Sequence, residues 1–401
     1  MSRDRFKMLN RLIGVLRCPA CFGRYQFQEV GTEEIFRPSG ILTCSKCGKS
    51  VITIKGIPIF HTLFYEPSRA LKVLSLIFCD DSSTDPLLAS LLGRTKEPVR
   101  LRELLNYLDN ENLPIIFERF RTGYINLERF AWKKFWGAQK FLTRKPLGTL
   151  LDIGCGFGCS TNPFLTGEKV RYCIGLDRSL FFLFLFRRYC RERGFQNVDL
   201  VCFDASNQPV PFKRASFDLV TAISFFNHFA STRDRRKINI FFRELDRITT
   251  DEGRVYVDAV PNRLNPFQGE VNLSPIILRG SLGRVAEIIA CTIPTKWMPR
   301  SLSMNLLWHT YRSYCKLTNI EIEPFEVFLR YVSSVIPEID VNCLPILPSA
   351  FKGFFTKSTE TKVIPQSSFY EDFTERKWTM RDFFRSTYLI LYASKHKNRG
   401  F

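Results

Sequence analysis

The chain has 401 residues, of which 45% are apolar and 24% charged, with 38 phenylalanines. That mix suits two or three packed globular units and excludes a low-complexity or disordered chain. A net charge of +19, from 58 Lys and Arg against 39 Asp and Glu, points to polyanions such as RNA or an anionic membrane face as partners.

The N-terminus, residues 1–9, is charged and lacks the apolar core and cleavage site of a secretory signal. The most apolar run, Leu180–Phe186, is far shorter than the roughly 20 residues of a membrane span. A cytoplasmic protein is therefore expected. Thirteen cysteines, two tight pairs and nine scattered residues, argue for a metal site plus buried thiols rather than disulfides.

Residues 1–65 read as a small module around Cys18-Pro-Ala-Cys21 and Cys44-Ser-Lys-Cys47, with strand character at Tyr25–Val30 and Ile35–Phe36. Two C-x2-C pairs have the spacing of a four-thiolate zinc ribbon, each pair aiming two sulfurs at one ion. The 22 residues between them slightly exceed the usual range, which a longer hairpin absorbs. Cys18, Cys21, Cys44 and Cys47 are the expected zinc ligands. A closed four-cysteine site leaves no open coordination position, so the zinc is expected to be structural.

Residues 66–145 read as a mainly helical linker or lid, with apolar residues at helical spacing in Leu101–Leu108 and again around Trp132, Phe135 and Trp136. From Gly148 the rhythm changes. Strand-like runs at Thr149–Ile153, Tyr172–Leu176, Asp199–Phe203, Phe217–Ile223 and Arg254–Val260 are accompanied by helical patterns at Ser179–Arg193 and Arg233–Ile248. Strands this apolar, alternating with helices, imply a parallel sheet covered on both faces, an α/β unit over residues 146–260. The proline-broken span 261–385 reads as a substrate-side insertion with a strand candidate at Ile339–Ile346. Residues 386–401 supply a last strand at Ser386–Ser394 and a basic tail.

The chemistry concentrates in Leu150-Leu-Asp-Ile-Gly-Cys-Gly-Phe-Gly158, a strand running into glycines at 154, 156 and 158. Glycine there lets the loop turn tightly and a ligand lie against its backbone. Ser160 and Thr161 mark the expected start of the next helix. A dinucleotide fingerprint would need glycine where Cys159 stands, and Asp152 suits a cationic ligand better than a pyrophosphate. The loop therefore favours S-adenosylmethionine over NAD. Asp177 ends the second strand, where an acid can accept both ribose hydroxyls, and Asp204 ends the third, where one can accept the adenine amino group. Each acid alone could be a cap or turn residue. Three at the ends of three successive strands are harder to obtain by chance.

With these residues in place, 149–260 resembles the type 11 class I methyltransferases. Leu151–Gly158 resembles their first motif and Gly175-Leu-Asp177-Arg178-Ser179 their second. Asp204-Ala205, with Val210-Pro-Phe212 and Ser216–Val220, resembles the third and fourth. The resemblance implies a Rossmann-like, seven-stranded class I sheet beside a small N-terminal zinc ribbon. It implies Asp152, Gly154, Gly156, Gly158, Asp177, Arg178, Asp204 and Ala205 as S-adenosylmethionine contacts. Many relatives carry two histidines after the fourth strand, where this chain has Phe226-Asn227-His228. His228 is thus the candidate catalytic base or orienting group, set against an ordinary structural histidine. The module at 1–65 resembles the zinc-ribbon activator subunit of certain tRNA and protein methyltransferases, through Leu16–Cys21, Leu42–Gly48 and Ile54–Pro58.

Three functions remain open. One is a methyltransferase for a small or lipid-like metabolite, with 261–385 as its cap. A second is an RNA methyltransferase, suggested by the charge, by Arg233–Lys237 and by the tail Lys395–Arg399. The third is a scaffold that keeps the cofactor fold without catalysis, against which the intact acids and glycines speak.

Overall fold

The computed structural model describes residues 10–30, 39–61, 147–166, 170–205, 209–223, 235–261, 360–365 and 388–395, with isolated positions such as Phe225 and Phe355. Within these, eleven strands form one sheet in the order β1-β2-β3-β4-β7-β6-β5-β8-β9-β11-β10.

The centre is parallel: β5 (Leu147–Ile153), β6 (Val170–Asp177), β7 (Val198–Cys202), β8 (Phe217–Ala222) and β9 (Thr249–Pro261). These are the five apolar runs expected from the sequence. Their residues are buried on both faces: every residue of β7 is, although it contains Asp199. That acid is satisfied by the hydroxyl of Tyr172, 2.6 Å away. Two antiparallel strands, β11 (Tyr388–Ser394) against β9 and β10 (Glu360–Pro365) against β11, complete this half. The last-strand expectation at Ser386–Ser394 falls on β11. Strand β10 was not expected, and the candidate at Ile339–Ile346 lies outside the described residues, as do Ile35–Phe36 and nearly all of 66–145.

Three helices follow strands. α1 (Asn162–Thr166) follows the glycine loop. α2 (Leu180–Glu192) is N-capped by Ser179, whose Oγ accepts from the Phe182 N–H, and buries Leu180, Phe181, Leu183, Phe184 and Phe186 on one side of the sheet. α3 (Arg235–Ile248) buries Ile238, Phe241, Phe242, Leu245 and Ile248 on the other. That i, i+3, i+4 spacing explains why such a polar sequence forms a packed helix. None of the described helices is long and apolar enough to cross a membrane.

The sequence suggested a ribbon separate from a seven-stranded sheet; the structure joins them. β1 (Tyr25–Glu29), β2 (Gly40–Cys44), β3 (Ser50–Ile54) and β4 (Ile57–Ile59) form an antiparallel meander. β4 then pairs parallel with β7 at Ile59 and Cys202, and the Phe60 N–H donates to Cys202 O. The β3–β4 turn carries Lys55 and Gly56, both at positive φ, as a two-residue type I′ hairpin requires. A helical segment at 10–15 closes the packing on the α3 side. Its end docks on the β7–β8 connection, where Arg17 N–H donates to Pro211 O and Lys213 N–H to Val15 O. Leu12, Leu16, Leu42 and Val51 consequently share one hydrophobic cluster with Leu151, Val201 and Phe212.

Candidate cofactor site and thiolate cluster

The C-terminal ends of β5, β6 and β7 lie side by side, Ile153 level with Leu176 and Asp177 level with Cys202. Open α/β sheets present ligands at this edge. The glycine loop leaves β5 with its turn fixed by the Gly154 and Cys155 N–H groups, both donating to Leu176 O. Gly156 has φ +52, and a side chain there would meet nothing within 4 Å. Among the described residues nothing covers this stretch of backbone. Gly158 is closed in by contrast: at φ +93, a Cβ would lie 2.3 Å from the ring of Phe186. Gly158→Ala is therefore expected to cost about 2–4 kcal/mol, from left-handed strain and overpacking together. Urea denaturation measures that loss, and an unchanged midpoint would refute the packing account.

Asp177 ties loop to helix. Its Oδ2 accepts from the Gly156 N–H at 2.9 Å and its Oδ1 from the Ser179 N–H at 2.8 Å. Burial raises its carboxyl above the ordinary value, while those two N–H groups and the charge of Arg178 pull it back down. Arg178 itself is exposed. Asp204 and Ala205 follow β7 at the same edge, Asp204 half-buried and Ala205 buried.

Asp152, expected among the cofactor contacts, is held within the protein by three hydroxyl groups. It is fully buried. Its Oδ2 accepts from Ser160 Oγ (2.9 Å) and Thr161 Oγ1 (2.6 Å), and its Oδ1 from Thr221 Oγ1 (2.8 Å). Burial raises this carboxyl and the three hydroxyl donors lower it. The acid thus pins both ends of the glycine loop to β8. Ser160 and Thr161, read as the start of a helix, are its clamps, and α1 begins only at Asn162.

Three phenylalanines border the loop. Phe157 and Phe182 meet with ring centroids 5.7 Å apart. Phe225, just past β8, lies where a Gly154 side chain would be and packs on Phe241 at 5.6 Å. His228 lies outside the described residues.

The four ribbon cysteines converge. Cys18 and Cys47 sulfurs stand 3.7 Å apart, Cys21 and Cys44 sulfurs 3.5 Å, and all four lie within 4.8 Å of one another. Around a tetrahedral ion with bonds of about 2.3 Å, sulfurs would be about 3.8 Å apart. The donor set and its spacing fit zinc. The Lys49 N–H is the main influence lowering the Cys47 thiol to about 7, whereas burial raises the Cys18 and Cys21 thiols, so the full set of thiolates would form with the metal.

Residues 151–257 match the family model described as a methyltransferase domain. Among solved structures, the chain is similar to the PH0226 protein of Pyrococcus horikoshii OT3, at 23% identity over 32% of this chain and 57% of that one, TM-score 0.28. It is similar to an S-adenosylmethionine-dependent methyltransferase of Clostridium acetobutylicum, at 20% identity over 37% and 58%, TM-score 0.30. It therefore spans little more than half the length of either. It is also similar to a structure of the Haloferax volcanii Trm112 methyltransferase activator bound to a protein assigned as a methyltransferase, at 14% identity over 68% and 95%, TM-score 0.35. No curated protein matches the sequence.

Proposed function

We propose that this protein is an S-adenosylmethionine-dependent methyltransferase with a structural zinc ribbon. The observation that carries the reading is Asp177 at the end of β6, bonded to Gly156, whose backbone no described side chain covers. The cofactor, when bound, supplies an electrophilic methyl group on a sulfonium. Gly154, Gly156 and Gly158 would lie along its amino-acid portion, Asp177 would accept its ribose hydroxyls, and Asp204 and Ala205 would border its base. Asp152 acts through the loop, and Arg178 through its charge on Asp177. Phe157, Phe182 and Phe225 line the loop with hydrocarbon and keep water from the reacting edge. Methyl transfer needs mainly in-line positioning, so this scaffold can supply most of the rate. His228 is retained as the candidate base. Cys18, Cys21, Cys44 and Cys47 would hold zinc in a closed site, which leaves the ion no part in the chemistry.

Residues 146–260, with β10 and β11, form the cofactor-binding core in this reading, and the rest of 261–385 the acceptor side. The resemblance to type 11 methyltransferases favours a small or lipid-like acceptor. An RNA acceptor is the second reading, favoured by the net charge of +19 and by exposed basic residues on the ribbon and α3, among them Arg24, Lys46, Arg236 and Arg243. A labelled-methyl transfer assay on RNA, lipid and small-metabolite fractions separates them. The fraction that acquires label names the acceptor class. Cofactor binding without transfer to any fraction would replace the enzyme by a scaffold.

A further inference from the structure

The ribbon contains an internal control. Its two cysteine turns share one backbone pattern: Phe22 N–H donates to Cys18 O and Gly48 N–H to Cys44 O, while Cys18 N–H bonds Gly23 O and Cys44 N–H bonds Lys49 O. The equivalent positions, 22 and 48, both have positive φ, +57° and +71°. Glycine adopts that conformation freely; a side-chain-bearing residue pays about 1–2 kcal/mol for it. Position 48 is glycine, yet position 22 is phenylalanine, a residue 51% exposed. Among the described residues only Ile240 is another large exposed apolar side chain. The turn itself does not need a side chain here, since glycine serves at the equivalent position 48, and an outlier of this kind motivates a search for function.

The surroundings say what the ring would meet. The Arg247 guanidinium lies 5.4 Å from the Phe22 ring centroid, and it is anchored by Val210 O, Phe212 O and Glu244. Arg24 and Lys46 are exposed on the same two cysteine turns, and Arg214 is exposed beside the Ala215 N–H that donates to Arg247 O. From Arg247 a stripe at helical spacing runs back along α3 through Arg243 and Ile240 to Arg236, all three exposed. Its length is about 16 Å. Because α3 follows β8, the stripe leads from the ribbon towards the edge that carries the glycine loop.

The geometry points to a docking surface for single-stranded RNA, in which Phe22 stacks on a base and Arg24, Lys46, Arg214, Arg243 and Arg236 hold successive phosphates. Guanidinium groups suit phosphate and an aromatic face suits any base. An anionic membrane is the poorer match, since it would call for a broad apolar face rather than one ring and a linear track of charge. This inference rests on the RNA reading of the acceptor and gives it a location.

Fluorescence anisotropy of the zinc-loaded full chain with a short labelled RNA of mixed sequence tests it. Phe22→Gly is expected to weaken binding about tenfold while raising the thermal midpoint, because the turn relaxes. Phe22→Tyr is expected to keep the affinity. The double variant Arg24→Ala/Arg243→Ala is expected to lower the slope of log affinity against log salt by about 1.4. Equal affinity in wild type and Phe22→Gly overturns the proposal, as does binding to phosphatidylglycerol vesicles without binding to RNA. Calorimetry with S-adenosylmethionine runs in parallel. Failure there, with RNA binding intact, strikes the methyltransferase reading and leaves this surface standing.

Discussion

Asp177→Ala is expected to abolish measurable S-adenosylmethionine binding, with an affinity loss of about 100-fold or more in titration calorimetry. Two effects add. Hydrogen bonds from ribose hydroxyls to a carboxylate are each worth about 1.5–3 kcal/mol, and the variant removes their acceptor. The same carboxylate also receives the Gly156 and Ser179 N–H groups, so its loss frees the glycine loop and the first turn of α2. Asp177→Asn separates the effects, since the amide oxygen can still accept from one N–H while the charge is gone. It is expected to keep the wild-type melting temperature more nearly than alanine and still bind cofactor poorly. Full-strength binding by Asp177→Ala would end the assignment of this edge as the cofactor site.

The cofactor half of the fold was legible because its signals are local. Apolar runs such as Val170–Asp177 end in glycine or acid at the point where the chain must turn, so strand, loop and acid appear together in sequence. The use of Asp152 was not legible for the opposite reason. Thr221, one of its three donors, lies 69 residues away, and Ser160 and Thr161 look like ordinary helix-capping residues. Strand β4 is three residues with Pro58 in the middle, a composition that argues against a strand until the partner that tolerates it is known. Strand β10 is short, charged and at the sheet edge, where burial imposes no alternating pattern. The union of ribbon and sheet was invisible because it rests on pairings of non-consecutive strands, β4 on β7, between segments each of which reads as complete.

That union decides what metal removal should do. In an independent ribbon, stripping zinc would melt a small module and leave the rest intact. Here the ribbon covers the β7 edge, and Phe60 meets both Tyr25 and Phe203 edge to face, with ring centroids 5.9 Å apart in each of the two contacts. Phe203 directly precedes Asp204. Structural zinc sites contribute about 10–16 kcal/mol in ribbon-like peptides, comparable to the entire stability of a typical domain, about 5–15 kcal/mol. Loss of zinc, by chelation or by Cys44→Ser, is therefore expected to unfold β1–β4 and uncover β7, not merely to loosen a tip. Metal analysis should find about one zinc per chain. Hydrogen exchange is expected to show protection lost at Val198–Phe203 along with the ribbon, while β8 and β9, shielded by α3 and β11, retain theirs. Cofactor affinity is expected to fall in the same titration, because the Asp204 edge loses its backing. A metal-free sample with wild-type melting and full protection at β7 would refute zinc as the keystone of this edge. Lost ribbon protection with an undisturbed β7 would instead show that the β4–β7 pairing carries little of the stability.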